Sequence, residues 1–154
     1  YLINLLQEAA EKGLRDLAQE NVRIRFIGTR DRLAPTLLKA MERLEQESAH
    51  NTCTLWVGLS YGARTEIVAA AADMAAQGVP ITEESLRAHF WSAEMPDPDI
   101  IIRSSGEQRL SNFLLWQAAY SELFFTDTKW PDFSEEELDA ILNEFASRER
   151  RRGK

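Results

Sequence analysis

Three side chains near the middle of the second half, Arg103, Arg109 and Ser111, are the residues whose types and spacing are best suited to chemistry. A short apolar run, Asp99-Ile100-Ile101-Ile102, delivers Arg103 into the polar stretch Ser104-Ser105-Gly106-Glu107-Gln108-Arg109-Leu110-Ser111-Asn112. Two fixed guanidinium groups can grip phosphate oxygens bidentately, and a glycine lets backbone approach the ligand. The apolar segment from Phe113 predicts a helix, whose N-terminus would add unpaired N–H groups and a favourable dipole. The pattern points to an anion site at the carboxyl end of a strand, where open α/β sheets bind their ligands. A plainer reading stays open beside it, in which Arg103 pairs with Glu107 and Arg109 is simply solvated.

Glu122 stands between Tyr120-Ser121 and Leu123-Phe124-Phe125. A lone glutamate is ordinarily a surface group at a helix end. It gains meaning if an anionic ligand nearby brings magnesium, which takes one or two carboxylates plus phosphate oxygens and waters. The closing stretch from Arg148 to Lys154 has five basic residues against one glutamate. It is either a solvated helix end or a cationic arm that closes on a phosphate, with Gly153 offering its N–H. His50, His89 and Cys53 have no ligand spacing or evident base partner, and no role is assigned to them.

The elements that must position these groups follow from periodicity. Leu2, Leu5, Leu6, Ala9 and Leu17 fall near helical spacing over residues 1–20, and Val22 to Gly28 alternates as a strand with one wetter face. Asp31 to Ser48, with Pro35 in its first turn, predicts a second helix. Thr54 to Ser60 is apolar on both parities, as expected of a strand covered on both faces. Tyr61-Gly62-Ala63-Arg64 turns into an alanine-rich helix over 65–77 that Gly78 stops, and Thr82 caps a short helix over 83–90. After the polar stretch, a helix over 113–120 is capped by Ser111 or Asn112, followed by a strand at Leu123-Phe124-Phe125 and a rigid turn at Trp130-Pro131-Asp132-Phe133. Ser134 and Glu137 form a capping box for the last helix, with Phe133 and Leu138 placed as its hydrophobic staple. Strands alternating with helices imply an α/β fold, a largely parallel sheet flanked by helices.

At 154 residues and 44% hydrophobic content, the chain can bury one sizeable core, so 1–154 is expected to be a single domain. A net charge of −7 argues against a nucleic-acid partner, which calls for a basic face. The single cysteine excludes a disulfide framework and a thiolate metal cluster. No leader or membrane span is evident. The sequence starts at Tyr1 inside a helical pattern, without methionine or cap, and is expected to be part of something longer.

The run from Ile100 through Arg103, Ser104-Ser105-Gly106-Glu107-Gln108-Arg109-Leu110-Ser111-Asn112-Phe113-Leu114-Leu115-Trp116-Gln117, on through Ala119-Tyr120-Ser121-Glu122-Leu123 to Trp130-Pro131-Asp132-Phe133, closely resembles the cis-prenyltransferase family. The bacterial undecaprenyl diphosphate synthases look most similar, and Tyr61-Gly62-Ala63-Arg64 and Arg148 to Gly153 match as well. The resemblance implies repeated condensation of isopentenyl diphosphate with an allylic diphosphate such as farnesyl diphosphate, with magnesium, in a cytoplasmic homodimer that touches the membrane through its lipid product. It places Arg103, Arg109 and Ser111 on the diphosphate of isopentenyl diphosphate, Glu122 on magnesium, and Glu107 in a supporting catalytic role. Arg151 and Gly153 match an Arg-x-Gly element that reaches the partner subunit's diphosphate site. The resemblance covers the C-terminal two-thirds of the family's length: the Asp-Gly-Asn-x-Arg-Trp-Ala type motif and the Ser-x-x-Asn-Trp type loop have no counterpart, so this stretch alone is expected to be inactive. Two other readings fit the fold: a non-catalytic prenyltransferase subunit, and an α/β domain binding another phosphorylated ligand.

Overall fold

The computed structural model describes residues 12–31 and 33–148, which form two compact units, one up to Ala93 and one from Glu94 on. The periodicity at residues 2–9 and the tail from residue 149 lie outside the described residues.

The first unit runs α1 (residues 12–19), β1 (Val22–Ile27), α2 (Pro35–Glu47), β2 (Cys53–Gly58), α3 (Ala63–Gln77) and α4 (Glu83–Ala88). β1 and β2 pair in parallel, from Val22 opposite Cys53 to Ile27 opposite Gly58. Alternation along β1 turns Ile24 and Phe26 into a core with Leu37, Met41 and Leu44 of α2, onto which Leu14, Ala18, Leu55 and Val57 pack. Each such large side chain contributes about 1.5–3 kcal/mol through its burial. Pro35 sits in the first turn of α2, where its missing N–H costs nothing. On the edge of β1 away from β2, Ile24 N donates to Ser48 Oγ at 2.9 Å and Phe26 N to Glu45 Oε1 at 3.0 Å. Side chains of the α2 region thus take up strand donors that have no neighbouring strand among the described residues.

The expectation that the second strand is covered on both faces does not hold. None of Cys53–Gly58 is buried, because α2 packs on β1 and leaves β2 at the flank. α3 begins after Gly62 and ends at Gly78, whose φ of 66° is the left-handed conformation that stops a helix. It buries Glu66, whose carboxylate accepts Tyr61 Oη at 2.7 Å, Ser92 N at 3.0 Å and Ser92 Oγ at 2.8 Å, the hydrogen bonds a buried carboxylate requires. α4 is capped by Thr82, reciprocally with Ser85.

The second unit runs β3 (Ile100–Arg103), β4 (Glu122–Phe125), a 3-10 turn at Trp130–Asp132 and α5 (Glu135–Ser147). β3 and β4 are parallel, from Ile100 opposite Glu122 to Arg103 opposite Phe125, with Ile101 and Phe124 buried. The helix expected over 113–120 is instead a series of turns. Ser111, Asn112 and Leu114 have φ of 48°, 65° and 45°, and a right-handed helix cannot propagate through left-handed residues. The final helix starts as expected, with Ser134 Oγ accepting from Glu137 N at 3.3 Å. The reciprocal half of the capping box is not made, since Glu137 turns its carboxylate to Thr126. The molecule is α/β, with parallel strands flanked by helices.

Candidate anion-binding site

The candidate residues gather in the second unit, where the parallel ladder fixes their starting points. β3 brings Arg103 to its carboxyl end, and Thr126, just past β4, continues the pairing by donating its N–H to Arg103 O at 3.0 Å. The chain then turns sharply: Ser105 and Gly106 have φ of 75° and 73°, and their N–H groups reach Thr128 O and Thr126 O, both at 2.8 Å. Gly106 is needed for this turn on two counts, its positive φ and the 3.0 Å that a Cβ would have to Asp127 Oδ1. These two N–H groups therefore bind the 126–128 segment, which is a different use of the glycine from the ligand approach expected of it.

Arg103 folds back along its own loop, Nη1 donating to Arg109 O and to Ser111 Oγ, each at 2.9 Å. Arg109 is the arginine that pairs with Glu107. The plainer reading had the right carboxylate and the wrong arginine: Arg103 is engaged by the loop's carbonyl and hydroxyl. The Arg109 and Glu107 side chains are 59% and 44% exposed, so their ion pair is worth at most about 1 kcal/mol and exchanges readily for a better anion. Beside them lies a cleft of about 360 Å³, lined by the polar Arg103, Ser104, Ser105 and Arg109 together with the apolar Ile101, Ile102, Leu110 and Phe113. The arrangement suits a small anion with a short apolar extension. With the turn at 111–114 in place of a regular helix, the helix N-terminus expected at this point is not part of it.

Glu122 does not join this cluster. It opens β4 opposite Ile100, three residues before the position opposite Arg103, and so lies roughly 10 Å down the ladder. Its Oε2 is 2.6 Å from Arg148 Nη1, and Arg148 also reaches Glu144 Oε1 at 2.5 Å while its guanidinium lies 4.2 Å from the centre of the Phe124 ring. Hydrogen bonds first to Glu144 and then to Glu122 push the Arg148 pKa above its usual range. Among the described residues no group of three or more His, Cys, Asp and Glu side chains is arranged for a metal ion. The described residues therefore fit magnesium only through one or two carboxylates, the other ligands being waters and phosphate oxygens. Arg151 and Gly153 lie outside the described residues.

Sequence reasoning missed the support of the loop by Thr126 and Thr128. The signal was present: a Thr-x-Thr directly after the strand that must pair with β3 has to meet whatever follows Arg103. It also treated Arg148 as the start of a tail, whereas the residue packs on β4.

A prenyltransferase family model described as undecaprenyl diphosphate synthase matches residues 1–153. Isoprenyl transferases of Neisseria gonorrhoeae and Listeria monocytogenes are 44% and 42% identical, over 100% and 99% of this chain. The chain spans 63% and 64% of those proteins' lengths, aligning with their C-terminal part. Among solved structures, a probable undecaprenyl diphosphate synthase from Campylobacter jejuni matches with a TM-score of 0.90 at 34% identity, covering 98% of this chain and 72% of that one. Lavandulyl diphosphate synthase from Lavandula x intermedia, in complex with dimethylallyl diphosphate, matches with a TM-score of 0.93 at 32% identity, covering 99% and 70%.

Proposed function

Because the chain belongs to the undecaprenyl diphosphate synthase family of prenyltransferases, we propose that its Arg103–Ser111 loop holds the diphosphate of isopentenyl diphosphate in a cis-prenyltransferase that extends an allylic diphosphate, such as farnesyl diphosphate, to a long-chain polyprenyl diphosphate. The observation that carries this reading is the cleft beside Arg103 and Arg109, whose mixed polar and apolar lining suits a diphosphate joined to a five-carbon prenyl group. The lavandulyl relative, solved with a prenyl diphosphate, supports that ligand class.

Arg103, already aimed by Arg109 O and Ser111 Oγ, binds the diphosphate without reorganising, and preorganised donors are the effective ones. Arg109 exchanges Glu107 for a phosphate oxygen, and Glu107 sets where that guanidinium waits. The isopentenyl group is thereby oriented, its apolar part against Leu110 and Phe113. Glu122 is proposed as one ligand to magnesium, which when bound would neutralise diphosphate charge. Arg151 and Gly153 are proposed to meet the partner's diphosphate site in a homodimer, both units belonging to one domain. The protein is proposed to work in the cytoplasm and to meet the membrane through its lipid product; no helix among the described residues is long and apolar enough to cross one.

Titration of the chain with isopentenyl diphosphate tests the reading. Arg103→Ala should weaken binding by about 1.5–3 kcal/mol and the more exposed Arg109→Ala by about 1 kcal/mol, and unchanged affinity in both refutes the assignment. The 154-residue chain alone is proposed to be inactive, so magnesium-dependent incorporation of labelled isopentenyl diphosphate by it would overturn that part.

A further inference from the structure

Glu137 was expected to close a capping box on Ser134, and its carboxylate has left that position. Its Oε1 accepts the hydroxyl of Thr126 instead, a bond from the first turn of α5 to the residue that follows β4. Thr126 is the hub of the support beneath the anion loop. Its N–H donates to Arg103 O at 3.0 Å, its carbonyl accepts Gly106 N at 2.8 Å, and its Oγ1 accepts Thr128 N at 3.2 Å. Thr128 in turn accepts Ser105 N at 2.8 Å. All the polar groups of Thr126 are thus engaged, and hydrogen bonds arranged in such a chain reinforce one another.

We propose that Glu137 is a positioning residue for the anion site: by anchoring Thr126, it fixes the Ser105-Gly106 turn and through it the direction in which Arg103 and Arg109 are presented. The anchoring itself is independent of what the loop binds, while its consequence for ligand rests on the isopentenyl diphosphate reading. Ser105 and Gly106 are two left-handed residues in succession. Their N–H groups have fixed acceptors, and those acceptors are held from the far side by a helix.

Hydrogen exchange and titration on the full 154-residue chain test the two parts separately. In Glu137→Ala the amides of Ser105 and Gly106 should exchange about tenfold faster, and isopentenyl diphosphate should bind about three- to tenfold more weakly, the net worth of about one ordinary hydrogen bond passed on to the site. Glu137→Gln keeps an acceptor oxygen and should restore both values to near the parent, a rescue that general loosening of α5 would not give. Thr126→Val removes the hydroxyl and with it both the bond to Glu137 and the acceptor of Thr128 N, so it should match or exceed Glu137→Ala, and adding Glu137→Ala to it should change little. If Glu137→Ala proves poorly folded, Thr126→Val carries the test together with Thr126→Val/Glu137→Gln, which should not differ from it once the hydroxyl that Glu137 accepts is gone. Unchanged exchange at Ser105 and Gly106 in Thr126→Val overturns the proposal, whatever the ligand does. Faster exchange with unchanged binding, where Arg103→Ala does weaken binding, overturns the link from anchor to site. Faster exchange with no effect of Arg103→Ala supports the anchor and overturns the reading of the ligand.

Discussion

Arg103 Nη1 donates to Ser111 Oγ at 2.9 Å, so a hydroxyl near the end of the proposed anion loop holds the arginine that opens it. The bond closes the nine-residue loop from Arg103 to Ser111 on itself and leaves the guanidinium aimed before ligand arrives. Ser111→Ala should therefore weaken isopentenyl diphosphate binding by about 1 kcal/mol with little change in melting temperature. Calorimetric titration of the parent and variant measures it, and equal affinities would remove Ser111 from the site.

Gly28 has φ of 129°, and a Cβ there would lie 2.0 Å from Leu59 O, a backbone atom that cannot step aside. Gly28→Ala should cost more than about 3 kcal/mol in urea unfolding of the chain. Gly106→Ala is milder, near 1–2 kcal/mol, because the crowding atom is the carboxylate end of Asp127 and strain at φ of 73° is the main penalty. Reversal of that order would show that backbone crowding at the exits of β1 and β2 is not what Gly28 relieves.

Residue types that act locally were the legible ones. Pro35 started α2, Gly78 stopped α3, Thr82 capped α4, and the apolar run at 100–102 became β3. The segment 113–120 was not legible, because Phe113, Leu114, Trp116, Gln117 and Tyr120 show the same spacing whether the backbone coils regularly or turns. Only the φ of Leu114, a residue that rarely adopts 45°, decides it. Partner choice was likewise hidden: Glu107 has Arg103 four residues before it and Arg109 two after it, both within reach of a carboxylate in a turning loop, and the fold of the loop assigns it to Arg109.

Arg148 joins Glu122, Glu144 and the face of Phe124, so it fastens the C-terminal turn of α5 to β4. Arg148→Met should lower the melting temperature and speed amide exchange over residues 144–148. Arg148→Lys should fall between, since an ammonium keeps the charge but loses the planar fork that serves two carboxylates and a ring together. Identical melting of Lys and Met variants would mean that charge plays no part in the fastening.

Glu136 sits in the first turn of α5, where its own backbone N–H and then the Ser134 hydroxyl hold its carboxyl below the ordinary value of 4.5. A depressed folded-state pKa means that the carboxylate's contribution to stability is present above pH 4.5 and is lost as pH falls through the lower, folded-state midpoint. A carboxyl-detected NMR titration should place Glu136 below 4.5, and Ser134→Ala should move it upward. A midpoint at or above 4.5 in the parent contradicts the bonding at this helix start.

The N–H groups of Ser105 and Gly106 are committed to Thr128 and Thr126, and this determines the style of recognition available to the loop. A site that grips anions with backbone amides reads their shape and is rather indifferent to dissolved salt. One that relies on guanidinium groups as exposed as that of Arg109 works through charge that counter-ions screen, over about 10 Å at 0.1 M ionic strength. Affinity here should fall steadily as salt rises, and phosphonate or thiophosphate analogues with the same charge and span should be accepted almost as well as the natural ester.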